Sequence, residues 1–385
     1  MYLFKIITKN AMRHKLRTVL TVLGLLVATL SFGLLQTVVD AWYAGAEGAS
    51  ATTLVTRNAT SLVFPLPLAY QARVRAVDGV SGVGYANWFG GVYKDPKNFF
   101  AQFAISGQSY LEIYPDYLLG EDERSAFLRD RKGAIVGRKL ANQYGFKVGD
   151  IIPIKGTIYP GQWEFTVRGI YEGRQNSTNT ATMFFHWDYI NEAVKKIYPR
   201  RANQVGVYVV RIAHAENAAA VSKAIDAQFS NSLAETLTET EKAFQLGFVS
   251  MSEAIVVAIR GVSFVVIIII MAVMANTMAM SARERLGEYA TLKVLGFGPG
   301  YLAGLIFGES LLLSLIGAGL GIVLLFPLAA VISSAMGTLF PVFEVAPLTL
   351  LLQGLAALLI GVVAAIAPTL RAVRVNIVEG LRSIG

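Results

Sequence analysis

The side chains best suited to chemistry crowd into one short stretch. Arg283, Glu284, Arg285, Glu288 and Lys293 all fall within residues 283–293. Carboxylates beside guanidinium and ammonium groups suit ionic recognition rather than bond making, since neither an activated nucleophile nor a set of metal ligands accompanies them. At helical spacing they form one charged surface, with Leu286, Tyr289, Leu292 and Leu295 able to face inward. The expectation is a short, rigid docking helix; an ordinary solvated loop is the alternative. Gly296, Gly298 and Gly300 with Pro299 should end the helix and turn the chain.

Other reactive constellations are missing from the sequence. It contains no cysteine, and His14, His186 and His214 are dispersed along it. HExxH, GxSxG and GxxxxGK[ST] do not occur. "GAIVGRKL" at 133–140 has a faint phosphate-loop look, but its glycine spacing is wrong and Lys139 does not follow the second glycine. It reads as a strand entering a helix. His186, beside Trp187 and Asp188, reads as a packed surface feature rather than a ligand. The sequons at Asn58 and Asn176 would matter only in a eukaryotic secretory pathway. The expectation is a non-catalytic chain with no metal site and no cofactor of its own.

The elements that hold the charged stretch are hydrophobic. Of 385 residues, 54% are hydrophobic and 16% charged, a balance typical of membrane proteins. Four runs are long enough for a bilayer core of about 30 Å: Thr18–Val39, Ile255–Ala282, Tyr301–Ile332 and Thr349–Leu370. The first reads as a retained anchor; a signal peptide is the alternative, disfavoured by its length and the lack of a clean cleavage site. Basic residues flank the runs at Lys5, Lys9, Arg13, Lys15 and Arg17, at Arg283, Arg285 and Lys293, and at Arg371, Arg374 and Arg382. By the positive-inside rule these groups, and both termini, lie in the cytoplasm. Residues 40–254 carry 22 basic against 21 acidic residues and lie outside. The net charge of +8 thus reports topology and contact with anionic lipid, not nucleic acid.

The expected organisation follows: a cytoplasmic interfacial helix at 1–17, spans at 18–39, 255–282, 301–332 and 349–370, and an extracytoplasmic domain at 40–254. The cytoplasmic docking helix occupies 283–300, an extracytoplasmic loop 333–348 and a cytoplasmic tail 371–385. The fold class is four transmembrane α-helices with a large extracytoplasmic α/β domain inserted between the first and second. In 1–17, Lys5, Lys9 and Arg13 share one helical face, with Leu3, Phe4, Ile7 and Ala11 mostly elsewhere; a plain basic flank is the alternative reading. Period-two patterning predicts strands at 54–63, 83–93, 101–106, 151–155, 163–171 and 204–212, and helices at 68–77, 139–144, 189–197 and 217–229. An inner β-rich piece, about 110–200, would be inserted into an outer βαβ-type piece. Glu309 of the third span has no basic or acidic relay partner in the other spans, so helix packing or an interfacial place is preferred to a proton or substrate pathway. Gly304/Gly308 and Gly317/Gly321 form small-xxx-small pairs for close packing or dimerisation. Pro327 should bend the third span, and Pro368 sits at the inner end of the fourth.

"ERLGEYATLKVLG" at 284–296 resembles the E-R-x-x-E-x-[GA]-x-x-[KR]-[AV]-[LI]-G signature of MacB/FtsX-type ABC transporter permeases, with Glu284, Arg285, Glu288, Lys293 and Gly296 in register. "PTLRAVRVNIVEGLRSIG" at 368–385 is similar to the family's closing segment, with Asn376 in place of the usual proline. "NAMRHKLRTVLTVLGLLVA" at 10–28 resembles its opening. "GAIVGRKLANQYGFKVGDIIPIKG" followed by "FTVRGIYE" resembles its periplasmic core domain. The resemblance implies a permease subunit of the inner membrane, dimeric with itself or a paralogue, driven by an ABC ATPase docked at 283–296. With no phosphate-binding loop here, ATP and Mg would belong to that partner chain, a departure from members carrying the ATPase on one polypeptide. The additional spans of ten-helix members are also lacking. A periplasmic adaptor and an outer-membrane channel are optional further partners. The function implied is efflux or extraction of a peptide, toxic small molecule, lipid or lipoprotein from the periplasm or outer leaflet, driven by motion of the outer domain. The alternatives are mechanotransmission to a cell-wall hydrolase or other outer partner without transport, and a membrane-anchored receptor or enzyme.

Overall fold

The computed structural model describes residues 2–175, 177–336, 340 and 342–374. Asn176, Asn376 and Arg382 lie outside the described residues, as do the side chains of Leu3 and Phe4. Two units emerge: Met1–Asp40 with Glu253–Ala335 and Phe343–Gly385, and Ala41–Ser252 with Met336–Val342. The chain opens with α1 (Tyr2–Ala11) and α2 (Lys15–Glu47), and the unit boundary falls inside α2.

The second unit is a mixed α/β domain. In chain order it holds β1 (Thr53–Asn58), β2 (Leu66–Pro67), α3 (Tyr70–Arg75), β3 (Val80–Trp88), β4 (Ala101–Ile105) and α4 (Gln108–Ile113). Next come β5 (Tyr117–Leu118), α5 (Glu121–Arg129), β6 (Gly133–Gly137), α6 (Arg138–Tyr144), β7 (Ile151–Gly156), β8 (Gly161–Gly173) and β9 (Thr182–His186). It closes with α7 (Trp187–Ile197), β10 (Gln204–Val205), β11 (Val207–Ile212), α8 (Ala218–Phe229), β12 (Thr236–Thr240) and α9 (Glu241–Met251). One sheet runs β12-β1-β11-β3-β4-β9-β6-β8-β5, with β7 also on β8; β2 and β10 pair separately. Strands from the two flanking segments fill one half, and strands between 117 and 186 the other. Parallel pairing occurs at β4–β9 and β6–β8.

Both faces of this sheet are buried. Neighbouring residues alternate between two cores: Leu54, Ala104, Val136, Phe185 and Val210 on one side, Val55, Ile105, Ile135, Phe184 and Val209 on the other. The first core is roofed by Val74, Leu140, Ile190, Val221 and Ile225 of α3, α6, α7 and α8. The second is roofed by Tyr110, Leu111 and Phe127 of α4 and α5. This explains why β6 and β9 lack period-two patterning and escape that test: a strand covered on both sides reads as an unbroken apolar run. The strands and helices read from the sequence in this region are present, with shifted ends. β12, α4, α5 and α9 have no counterpart in that reading.

His186 corrects an expectation. It is buried, not at the surface: its ring stacks on Phe127 with centroids 4.2 Å apart, and Nε2 lies 2.7 Å from the Phe127 carbonyl. Burial pushes its pKa below the ordinary 6.5.

After α9 come α10 (Glu253–Glu284), α11 (Leu286–Val294), α12 (Pro299–Met336) and α13 (Pro347–Arg374). Among the described residues, α2, α10, α12 and α13 are long and apolar enough to cross a bilayer. α12 continues through Pro327, and α13 through Pro368. Small residues set the contacts within this unit. A Cβ at Gly317 would lie 3.2 Å from the Val22 carbonyl, and one at Gly321 would lie 3.1 Å from the Leu26 carbonyl, so α12 meets the backbone of α2 directly. Gly308 faces Ile7 of α1, whereas Gly304 faces open space. Three of the four predicted packing glycines therefore serve contacts within this chain. Polar side chains tie α13 to α12 and to α2. Ser310 Oγ donates to the Gly361 carbonyl at 2.7 Å, Gln353 Nε2 to the Thr29 carbonyl at 2.8 Å, and Thr349 Oγ1 to Asp40 at 2.6 Å.

Two outcomes are expected. Gly321→Leu drives a side chain into the α2 backbone and should lower the melting temperature of the detergent-solubilised chain markedly; Gly247→Leu, at an open site, is the control and should leave it nearly unchanged. For His186, the unfolded chain takes up the proton at a higher pH than the folded one. Stability should therefore fall as pH drops below about 6.5 and level off below the folded pKa. Melting curves between about pH 5 and 8 should show this slope in the wild type, and a weaker one in His186→Gln.

Candidate functional site

The charged stretch forms the turn between α10 and α11. α10 ends at Glu284, Arg285 leaves the helical conformation at φ −106°, and α11 starts at Leu286. Arg285 is only 4% exposed. Its Nη1 donates to Glu309 Oε2 of α12 at 2.7 Å, and its Nη2 donates to the Asn10 carbonyl of α1 at 2.7 Å. Next to it, Arg17 of α2 donates to both oxygens of Glu284, at 2.7 and 2.6 Å. Arg13, in the link between α1 and α2, pairs with Glu288. Lys293 Nζ donates to the Val373 carbonyl of α13 at 2.7 Å. The α10–α11 turn is thus bonded to α1, α2 and α12, and the end of α11 to α13. Thr18, Thr21 and Ser281 help to line a polar recess of about 20 Å³ around the buried pair.

One expectation is overturned here and another is completed. Glu309 has no partner in the other apolar runs but pairs with Arg285, just past the end of α10 and 24 residues away across the α11 hairpin. The pair forms because a carboxylate surrounded by apolar helices needs a charged donor, and α11 is short enough to fold Arg285 back onto α12. Leu295, expected to face inward, is 69% exposed. Gly296 takes φ +88°, Phe297 N–H donates to the Leu292 carbonyl at 3.0 Å, and Gly296 N–H donates to the Lys293 carbonyl at 3.0 Å. That Schellman turn throws Val294, Leu295 and Phe297 outward.

The candidate residues therefore divide. Arg285 and Tyr289 are buried, and Leu292 and Lys293 half-buried, so they hold the junction together. Arg283, Glu284, Glu288 and Gly296 are exposed, the two carboxylates being engaged by Arg17 and Arg13. The outward apolar tip at Val294 and Phe297 escapes the sequence reading; its signal is the pair of apolar residues bracketing the helix-ending glycine. Arg260, an exposed ionisable residue inside the apolar run of α10, escapes it too. Lys139 donates to the Phe340 carbonyl at 2.7 Å, and burial lowers its pKa, a structural use of the ammonium rather than phosphate binding.

The fold and this junction define a multi-pass membrane protein whose first and second spans are separated by a large mixed α/β domain. Residues 18–228 match the MacB-like periplasmic core domain, and residues 260–377 match the FtsX-like permease C-terminal domain. The first match alone covers more than half of the sequence. The chain belongs to the MacB/FtsX family of ABC transporter permeases. Among solved structures it is similar to the extracellular domain of the noncanonic ABC-type transporter YknZ from Gram-positive bacteria. That likeness has 14% identity and a TM-score of 0.36, covering 49% of this chain and 98% of that one. It is also similar to the periplasmic region of MacB from Actinobacillus actinomycetemcomitans, with 9% identity and a TM-score of 0.37, covering 52% of this chain and 94% of that one. No curated protein matches the sequence.

Removing one partner of the buried pair leaves the other charge uncompensated, which costs about 3–5 kcal/mol. Arg285→Ala should therefore lower the melting temperature strongly. The paired replacement Arg285→Met with Glu309→Leu should recover much of the loss, as read by thermal unfolding in detergent.

Proposed function

We propose that this chain is the permease subunit of an ABC transporter whose ATPase is a separate polypeptide. The observation that carries the reading is α11, bonded at its start to α1, α2 and α12 and at its end to α13, with an apolar tip projecting at that end. An ATPase seated on Val294, Leu295 and Phe297 would push on α11. The ion pairs would pass that push into the spans, because a clamped turn cannot move without the helices bonded to it. In this reading ATP and Mg are held by the partner, the working form pairs two permease copies, and α2 and α10 carry the motion to the α/β domain. The basic end of the helical unit faces the cytoplasm of the inner membrane, and the α/β domain faces the periplasm. The work done is export or extraction of a substrate from the periplasm or outer leaflet. No residue of this chain is assigned a catalytic role.

In this reading the ATPase contacts Val294, Leu295 and Phe297, next to the charged residues 283–293. Pull-down of the tagged chain from mild detergent should bring down an ATPase, measured as ATP hydrolysis in the eluate. Leu295→Asp with Phe297→Asp should abolish that activity while the permease still elutes as a single sharp peak. An ATPase retained at wild-type level by the double variant would overturn the docking assignment. Absence of any ATPase from the wild-type eluate in several detergents would remove the motor from the proposal.

A further inference from the structure

Between α2 and α10 a groove of about 620 Å³ opens on the outside of the helical unit. Two contacts between the helices flank its lining residues along the chain. At one, Gly24 lies against Ile270, where an added Cβ would sit 3.3 Å from Ile270 Cδ1. At the other, Arg17 grips Glu284 through its two short hydrogen bonds. Between them the helices present the short side chains Thr21 and Thr277. Both hydroxyls turn back onto their own helices, Thr21 to the Arg17 carbonyl at 2.8 Å and Thr277 to the Val273 carbonyl at 2.9 Å. The volume lies within the ~300–1,000 Å³ of sites that hold a drug-sized molecule.

The lining is amphiphilic. One end carries His14, Lys15 and Arg17; the wall beyond is Leu16, Leu20 and Val273, which are 75%, 59% and 49% exposed. In a membrane span such residues face hydrocarbon, and cations at the span's end lie at headgroup level. The charges do not cancel. Glu284 is taken up by Arg17 and lies 3.6 Å from His14 Nε2, whereas exposed Lys15 has no carboxylate within ion-pair distance among the described residues.

We propose that this groove is a binding site for one anionic phospholipid. Its phosphate would sit at Lys15, with His14 and Arg17 adjacent, and an acyl chain would run along Leu16, Leu20 and Val273. The apolar wall selects an amphiphile over a free phosphate, and the uncompensated ammonium selects an anionic headgroup over a zwitterionic one, whose own cation opposes Lys15. His14, Arg17, Thr21 and Thr277 also line the recess around Arg285 and Glu309, so the bound lipid lies against the junction. The inference rests on α2 and α10 being membrane spans and is independent of any ATPase.

The test is native mass spectrometry of the full-length chain in dodecyl maltoside, offered equal amounts of dioleoyl-phosphatidylglycerol and dioleoyl-phosphatidylcholine. The wild type should retain one phosphatidylglycerol in several-fold preference. Lys15→Gln should abolish the preference, while Lys97→Gln, at an exposed lysine of the α/β domain, should keep it. Thr277→Trp, which fills the groove, should lower retention of both lipids. Equal retention of the two lipids by the wild type would overturn the site, as would an undiminished preference in Lys15→Gln. Should Thr277→Trp fail to fold, the surface variant Lys15→Gln still decides.

Discussion

A charge that cannot be left alone in an apolar surrounding governs the helical unit. Glu309 lies on a span, away from water, and its carboxylate is tolerable only with a donor of opposite charge held in place. Arg285 supplies that donor and uses a further hydrogen bond on a backbone carbonyl of α1. The position of α11 follows, because the residue after the end of α10 must point inward at α12. Once Arg285 is fixed, Glu284 and Glu288 fall within reach of Arg17 and Arg13, and Lys293 within reach of the last turn of α13. The surface pairs contribute little individually; they follow from the geometry that the buried pair imposes.

The two units solve the same problem, satisfying polar groups away from water, by different means. In the helical unit, backbone groups are satisfied within each helix, so contacts can be made by glycines and by single hydroxyl or amide donors, as at Gly317, Gly321, Ser310 and Gln353. In the α/β domain, backbone groups are satisfied between strands, and the sheet must then hide two apolar faces. Helices from both flanks and from the inserted segment cover them.

The division of labour inside residues 283–297 bears on function. Most charged residues of the family signature are bonded to the chain's own helices, Arg285 while buried and Glu284 and Glu288 while still exposed. The outward part is apolar and small, at Val294, Leu295 and Phe297. A signature rich in charge can therefore describe how an element is held.

Much was legible before any coordinates. Four apolar runs, the helix break at Gly296 and a domain built of strands and helices follow from local rules: the length of a bilayer, the freedom of glycine at positive φ, and side-chain periodicity. The family also came from the sequence, since its motifs are contiguous strings. What local rules could not supply was pairing across the chain. The partner of Glu309, the burial of His186 against Phe127, the exposure of Leu295 and the Thr21–Thr277 interval between α2 and α10 each depend on residues brought together from distant positions. The sequence determined which segments are apolar and where helices stop, because those are properties of neighbouring residues. Only the tertiary structure decided which charges are answered and which side chains are left facing outward, because burial belongs to the packed set of helices rather than to any one of them.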